Sequence, residues 1–245
     1  MVIGAVSRIP YPAFAAALSP VGVFGLVAVV AAVWLVFRKE LARDGGFSAR
    51  LKPGRVHAGQ VVKASLICAG LAVAFFAGVP PAEAAIVGGA ILLFTRQIKP
   101  LRIYRELDGP LLILFVGLFI VVAGAERALL TPERVAMAKS VGLDDPWRLA
   151  LFTAILSNIV SNVPAVLALR PFIPTFSDPH RAWLVVAMAS TLAGNLTLIG
   201  SVANLIVAER ARAEGAPIRF WDYFKVGLPL TLVTLGAGTA WLSLP

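Results

Sequence analysis

The sequence predicts an all-α integral membrane fold: polytopic helices with one re-entrant hairpin and one discontinuous helix. Three observations carry this. Of the 245 residues 59% are hydrophobic and only 14% charged, against roughly 25% charged in soluble domains, and the mean hydropathy is +0.86. Several apolar runs reach the length of a bilayer crossing. Two short polar clusters, Ser157 to Pro164 and Gly194 to Ser201, interrupt runs that are only half that long. In lipid every backbone polar group needs an internal partner, so a helix broken at membrane depth is tolerated only inside protein or beside a watery cavity.

A crossing takes about 20 apolar residues, and residues 13–37, 61–79 and 110–130 supply them. Residues 82–95, which follow Pro80-Pro81, span only with help from their flanks. Loop 38–63 holds Arg38, Lys39, Arg43, Arg50, Lys52, Arg55 and Lys63, and loop 96–105 holds Arg96, Lys99, Arg102 and Arg105. Cytoplasmic loops collect Lys and Arg, so both are assigned to the inner side. Residues 147–156 and 165–173 are each about ten long, roughly 15 Å of helix at 1.5 Å per residue, and neither crosses alone. Joined by the first polar cluster, they form a re-entrant hairpin over 147–173 that enters and leaves on the outer side. Residues 183–193, the second cluster and a helix over 202–212 make one broken crossing, 183–212. It ends beside Arg210, Arg212, Arg219 and Lys225, and residues 223–243 return outward. This arrangement places 15 of the 22 basic residues inside; a hairpin that crossed would put the Arg210 cluster outside. The single basic residue before the first run, Arg8, and the full length of that run argue against a cleaved signal. The expected location is the inner (plasma) membrane, multi-pass.

Other classes fit less well. The formal charge of +9 sits in loops rather than on one amphipathic face, so no nucleic-acid partner is implied. Cys68 has no partner for an internal disulfide and reads as a small core residue. His57 and His180 fall in loops without a second ligand at metal spacing. Glu83, Glu126 and Glu209 lie near the ends of apolar runs, so no carboxylate relay marks a span centre. The segment Asp44 to Arg50 superficially resembles the motif of lipid-head-group phosphotransferases, but its spacing is one residue too long and no further paired aspartates follow. Asn162-Val163-Pro164-Ala165 superficially resembles the half-helix tips of water channels, which place Asn directly before Pro.

The chain also echoes itself. Setting Leu205-Ile206-Val207-Ala208 against Met1-Val2-Ile3-Gly4, with five extra residues in the later copy, brings Arg212 over Arg8, Phe220 over Tyr11, Tyr223 over Phe14 and Pro229 over Pro20. Both copies run into a full span, one inward and one outward, as in inverted-topology repeats. Residues 1–245 read as one transmembrane permease domain, in which 1–40 end a first repeat and 61–245 form a second.

The stretches SNIVSNVPA (Ser157–Ala165), GNLTLIGSVANLIVAE (Gly194–Glu209) and IRFWDYFKVGLP (Ile218–Pro229) resemble the outer hairpin, broken helix and terminal span of the ion transporter superfamily. That superfamily includes arsenite permeases, sodium/proton antiporters, divalent anion/sodium symporters and citrate-type transporters. The resemblance covers nearly the whole chain but only the C-terminal half of a member. It implies the second half of an inverted-repeat transporter, with Met1 internal to a longer protein, or else a half-transporter that pairs. It further implies secondary active transport by alternating access, not enzymatic chemistry. The substrate would be arsenite or antimonite, or a sodium-coupled carboxylate, sulfate or phosphate; sodium/proton exchange is the alternative, and an inactive half-transporter or channel-like protein a further one. It implies a homodimer, with the spans in 61–130 as interface.

The candidate site follows from the two clusters. Asn162, two residues ahead of Pro164, reads as the N-cap of the second half-helix, whose unpaired N–H groups and positive dipole end suit an anionic oxygen. Ser157, Asn158, Ser161 and Asn162 add neutral oxygens of the kind hard cations prefer. Asn195 and Thr197, with carbonyls freed around Gly194 and Gly200, offer the same from the facing break, and Ser201 or Asn204 caps the continuing helix. The two breaks are expected to meet near the bilayer midplane and hold a small anion or ion. No cofactor is expected beyond Na+ or H+ as coupling ion.

Overall fold

The computed structural model describes residues 2–7, 9–41 and 58–94, single positions between 109 and 124, and residues 142–244. Among these residues every regular element is helical. The order is α1 (Val2–Ser7), α2 (Tyr11–Leu41), α3 (Ala58–Phe76), α4 (Pro81–Leu93), α5 (Pro146–Val160), α6 (Asn162–Leu169), α7 (Pro179–Leu192), α8 (Val202–Ala213) and α9 (Phe220–Ser243). Short 3-10 turns occupy Ile173–Thr175, Ala193–Asn195 and Leu198–Gly200. Stretches within Tyr11–Lys39, Ala58–Phe76 and Phe220–Ser243 are long and apolar enough to cross a membrane. The expected span 110–130 falls largely outside the described residues; the positions described within it are helical.

The helix starts are written in the sequence. Asp145-Pro146 and Asp178-Pro179 begin α5 and α7 alike: the aspartate side chain accepts from the amide three residues on, Arg148 N at 3.0 Å and Arg181 N at 2.9 Å. Proline then fills the first helical position, where its missing N–H costs nothing. Pro81 starts α4 in the same way. Between α3 and α4 the chain reverses at Gly78, whose φ of +86° glycine adopts without penalty. The far ends of this pair are tied by Lys63 Nζ, which donates to the Phe94 carbonyl at 2.7 Å. Lys63 thus lies within α3, not in the preceding loop, and Arg38 and Lys39 complete the last turn of α2.

Helix α7 is the centre of the core. Its residues Ala182 to Ser190 are all buried, so it is apolar all round, the pattern of a helix with no free face. It packs against α1, α2, α5, α6 and α9. Helix α9 approaches it closely at Gly238, where a Cβ would collide with Met188 Sδ and lie 2.9 Å from Val21 Cγ1. Helices α2 and α9 pack together, and each carries a proline at its tenth residue, Pro20 and Pro229. The Trp241 indole donates at 3.0 Å to the carbonyl of Ala17, which ties the end of α9 to the first part of α2.

Several expectations are corrected here. The cluster from Ser157 to Val160 belongs to α5, which runs 15 residues rather than ten; the only non-helical residue between α5 and α6 is Ser161. The expected break after α7 is present and consists of two short 3-10 turns. His180 is the second residue of α7 and exposed. Cys68 is exposed on α3, a helix with no buried residue at all, so it is not a core residue.

Candidate functional site

Helices α5 and α6 form a hairpin whose base is closed by the segment leading into α7 and whose tip is fixed to the end of α7. At the base, Asp144 Oδ1 accepts from Ser177 N at 2.8 Å and from the Ser177 hydroxyl at 3.1 Å, so the chain returns to the level where it entered. At 15 and eight residues the two arms measure roughly 22 and 12 Å, short of a hydrocarbon core of about 30 Å. At the tip, Ser157 Oγ donates to Ser190 O at 3.1 Å, and Asn158 Nδ2 to Ala193 O at 2.9 Å. The tip of the hairpin and the break after α7 therefore lie side by side.

The hairpin turns on Ser161, at φ 76° and ψ 162°, a region that is essentially glycine's and costs a side-chain-bearing residue roughly 1–3 kcal/mol. It is the sole non-glycine with positive φ among the described residues. Ser161, not Asn162, occupies the N-cap position of α6, and its side chain makes no cap bond. Asn162 is instead the first helical residue and Pro164 the third. The cause is the length of α5: the helix continues through Val160, leaving Ser161 as the only residue free to reverse the chain.

The eleven residues expected at the site all fall at this junction, and hydrogen bonding divides them. Asn158 is fully engaged: its amide nitrogen donates to Ala154 O at 3.0 Å and to Ala193 O, and its oxygen accepts from Thr197 Oγ1 at 2.9 Å. Gly200 lies against this pair, so close that a Cβ would sit 2.7 Å from Asn158 Oδ1 and 3.1 Å from Thr197 Oγ1. Ser157 Oγ, whose one proton goes to the nearer Ser190 O, also lies 3.3 Å from Asn162 Oδ1. Asn204 does not cap α8; its amide nitrogen donates to Gly194 O at 2.7 Å and to Tyr223 OH at 2.9 Å. Ser201 holds the N-cap position of α8 by its backbone, without a side-chain bond. Ser157, Asn158, Thr197, Gly200 and Asn204 thus build the framework of the junction.

The remainder is open. Asn162 Nδ2 and the side chains of Asn195, Ser161 and Ser201 make no hydrogen bond within the described residues. Asn162 presents its amide donor toward the break. A Cβ on Gly194 would lie 3.4 Å from Ser201 Cβ and 3.9 Å from Asn162 Nδ2. The N-terminal ends of α6 and α8 thus converge beside one glycine, and the first amides of each helix have no partner within it. No charged side chain enters this network, and no cluster of three metal-ligating residues occurs among the described residues.

Residues 1–178 and 134–244 both match the model of the citrate transporter family. The chain belongs to that family. It is similar to other transporters as well. The Dictyostelium discoideum protein named transporter arsB is 34% identical over 173 residues, 68% of this chain and 31% of that protein. The silicon efflux transporter of Oryza sativa subsp. japonica is 32% identical over 190 residues, 71% of this chain and 39% of that one. An uncharacterized transporter of Synechocystis matches over 98% of this chain and 62% of its own length at 24% identity. The chain therefore spans about a third to two fifths of the first two relatives. No solved structure matches it.

As a member of the citrate transporter family, the chain is a membrane protein of the ion transporter superfamily. Two residues at its junction escaped the sequence reading. Tyr223 and Gly227, one turn apart on α9, line the break: a Cβ on Gly227 would collide with Asn195 O and lie 2.9 Å from Leu196 O. The available signal is a tyrosine set where the echoing first copy has Phe14.

Proposed function

We propose that this chain carries the solute site of a secondary active transporter for a small, oxygen-rich anion or hydroxy acid, working by alternating access in the plasma membrane. The observation that supports it is the convergence of two helix N-termini, α6 and α8, on Gly194 with Asn162 Nδ2 between them. Helix N-termini favour negative charge and offer oriented N–H donors. Uncharged donors suit oxygens bearing little or partial charge, such as those of arsenite, antimonite or silicic acid, and the names of the arsB and silicon efflux relatives fit that class. Carboxylates such as citrate are the next class. In this reading the hairpin is re-entrant, α7 and α8 form one broken crossing, Na+ or H+ drives the cycle, and two copies associate through α3 and its neighbours.

The test is arsenite efflux from cells lacking their own exporter that express this protein. The reading predicts saturable, gradient-dependent loss of arsenic from wild-type cells, abolished by Asn162→Ala in protein that still reaches the membrane. Efflux that persists in the variant would remove the junction as the site. The antiporter alternative would instead appear as sodium-dependent proton movement without any solute.

A further inference from the structure

The break after α7 exposes two chemically opposite edges, and α9 covers one of them. Its carbonyls are held on that side: Gly194 O accepts from Asn204 Nδ2 at 2.7 Å, while Asn195 O and Leu196 O lie against Gly227. Tyr223 and Gly227 are one turn apart and share a face of α9. The amide nitrogen of Asn204 has two protons, and both are placed, one on Gly194 O and one on Tyr223 OH at 2.9 Å. The phenol oxygen therefore accepts, and it fixes the rotation of the amide that grips the carbonyl. No other side chain among the described residues touches Asn204 by a hydrogen bond.

We propose that Tyr223 is a positioning residue of the solute site, acting through Asn204 to keep the carbonyl edge of the break turned toward α9, so that the solute meets donors. This rests on the transport reading above and goes beyond it by assigning the selectivity for hydrogen-bond acceptors to α9. Without the phenol oxygen, the second Asn204 proton loses its partner in a half-buried setting. The side chain then rotates and Gly194 O turns back toward the solute, so that the solute's acceptor oxygens meet a carbonyl in place of a donor.

The experiment compares Tyr223→Phe, Asn204→Ala and the double variant of the protein, with arsenite transport into vesicles followed by arsenic mass spectrometry. Tyr223→Phe keeps the ring and should raise KM about fivefold to tenfold, the worth of one net hydrogen bond, with maximal rate unchanged. The double variant should be no worse than Asn204→Ala alone, because the phenol acts only through that amide. Wild-type kinetics in Tyr223→Phe, a fall in maximal rate and melting temperature with KM unchanged, or multiplicative effects in the double variant would each overturn the proposal. If the wild type moves no arsenite, the transport reading fails separately. The contact is then judged by NMR of the Asn204 side-chain amide, identified by its loss in Asn204→Ala. One of its two protons should exchange faster in Tyr223→Phe, and unchanged exchange would refute the assignment.

Discussion

Asn158 and Ala193 are 35 positions apart in sequence, yet the side-chain amide of the first donates to the carbonyl of the second at 2.9 Å. With Ala154 O and Thr197 Oγ1 on its other atoms, Asn158 spans α5, the end of α7 and the break beyond it. Removing it leaves several half-buried polar groups unmatched. Asn158→Ala is expected to lower stability by roughly 2–3 kcal/mol, read as a falling midpoint in thermal unfolding of detergent-solubilised protein. An unchanged midpoint would mean that the hairpin tip is held by other contacts.

Asn162 and Asn195 behave in the opposite sense. Their donors are unused within the fold, so Asn162→Ala and Asn195→Ala should leave the melting temperature alone while reducing transport efficiency tenfold or more, about 1.4 kcal/mol of lost binding. Equal loss of stability and transport would place these residues with Asn158 in the framework.

Ser161 carries its side chain in a backbone region that glycine occupies freely. Ser161→Gly should raise the unfolding midpoint by relieving about 1 kcal/mol of strain, partly offset by the greater freedom of glycine in the unfolded chain. Ser161→Ala keeps the backbone penalty and should not. A stabilised alanine variant would argue that the hydroxyl, rather than the dihedral, is the source of the cost.

Gly200 has no room for a methyl group: its Cβ would sit 2.7 Å from Asn158 Oδ1. Gly200→Ala must displace the Asn158–Thr197 pair, and the expected result is loss of transport with partial loss of stability. Pairing it with Asn158→Ala, which removes the obstructing atom, should give less than the sum of the two losses.

Much of this was legible in the sequence, and the reason is local. Asp-Pro pairs, Pro80-Pro81 and the lengths of the apolar runs act within a few residues, so α3, α4, α7 and α9 begin within about four residues of the predicted positions. The two clusters were read correctly as neighbours because half-length helices in lipid leave few other arrangements. What misled was polarity taken as a mark of broken helix. Ser157 and Asn158 stay helical because their side chains bond to Ser190 O and Ala193 O, partners more than 30 residues away that no local pattern reveals. The same holds for Tyr223, whose role appears only when α9 is laid beside Asn204. Composition alone places Cys68 in a core, because it cannot distinguish an exposed residue of an apolar helix from a buried one.

The burial of α7 over nine successive residues also bears on how such a molecule could cycle. A helix enclosed on every side has no lipid to slide against, so it cannot rock alone. Whatever conformational change the junction undergoes must carry α5, α6 and α9 along or shear those packed surfaces. The speed of turnover should then track the fit of side chains such as Met188 against Gly238, and be comparatively indifferent to bilayer thickness.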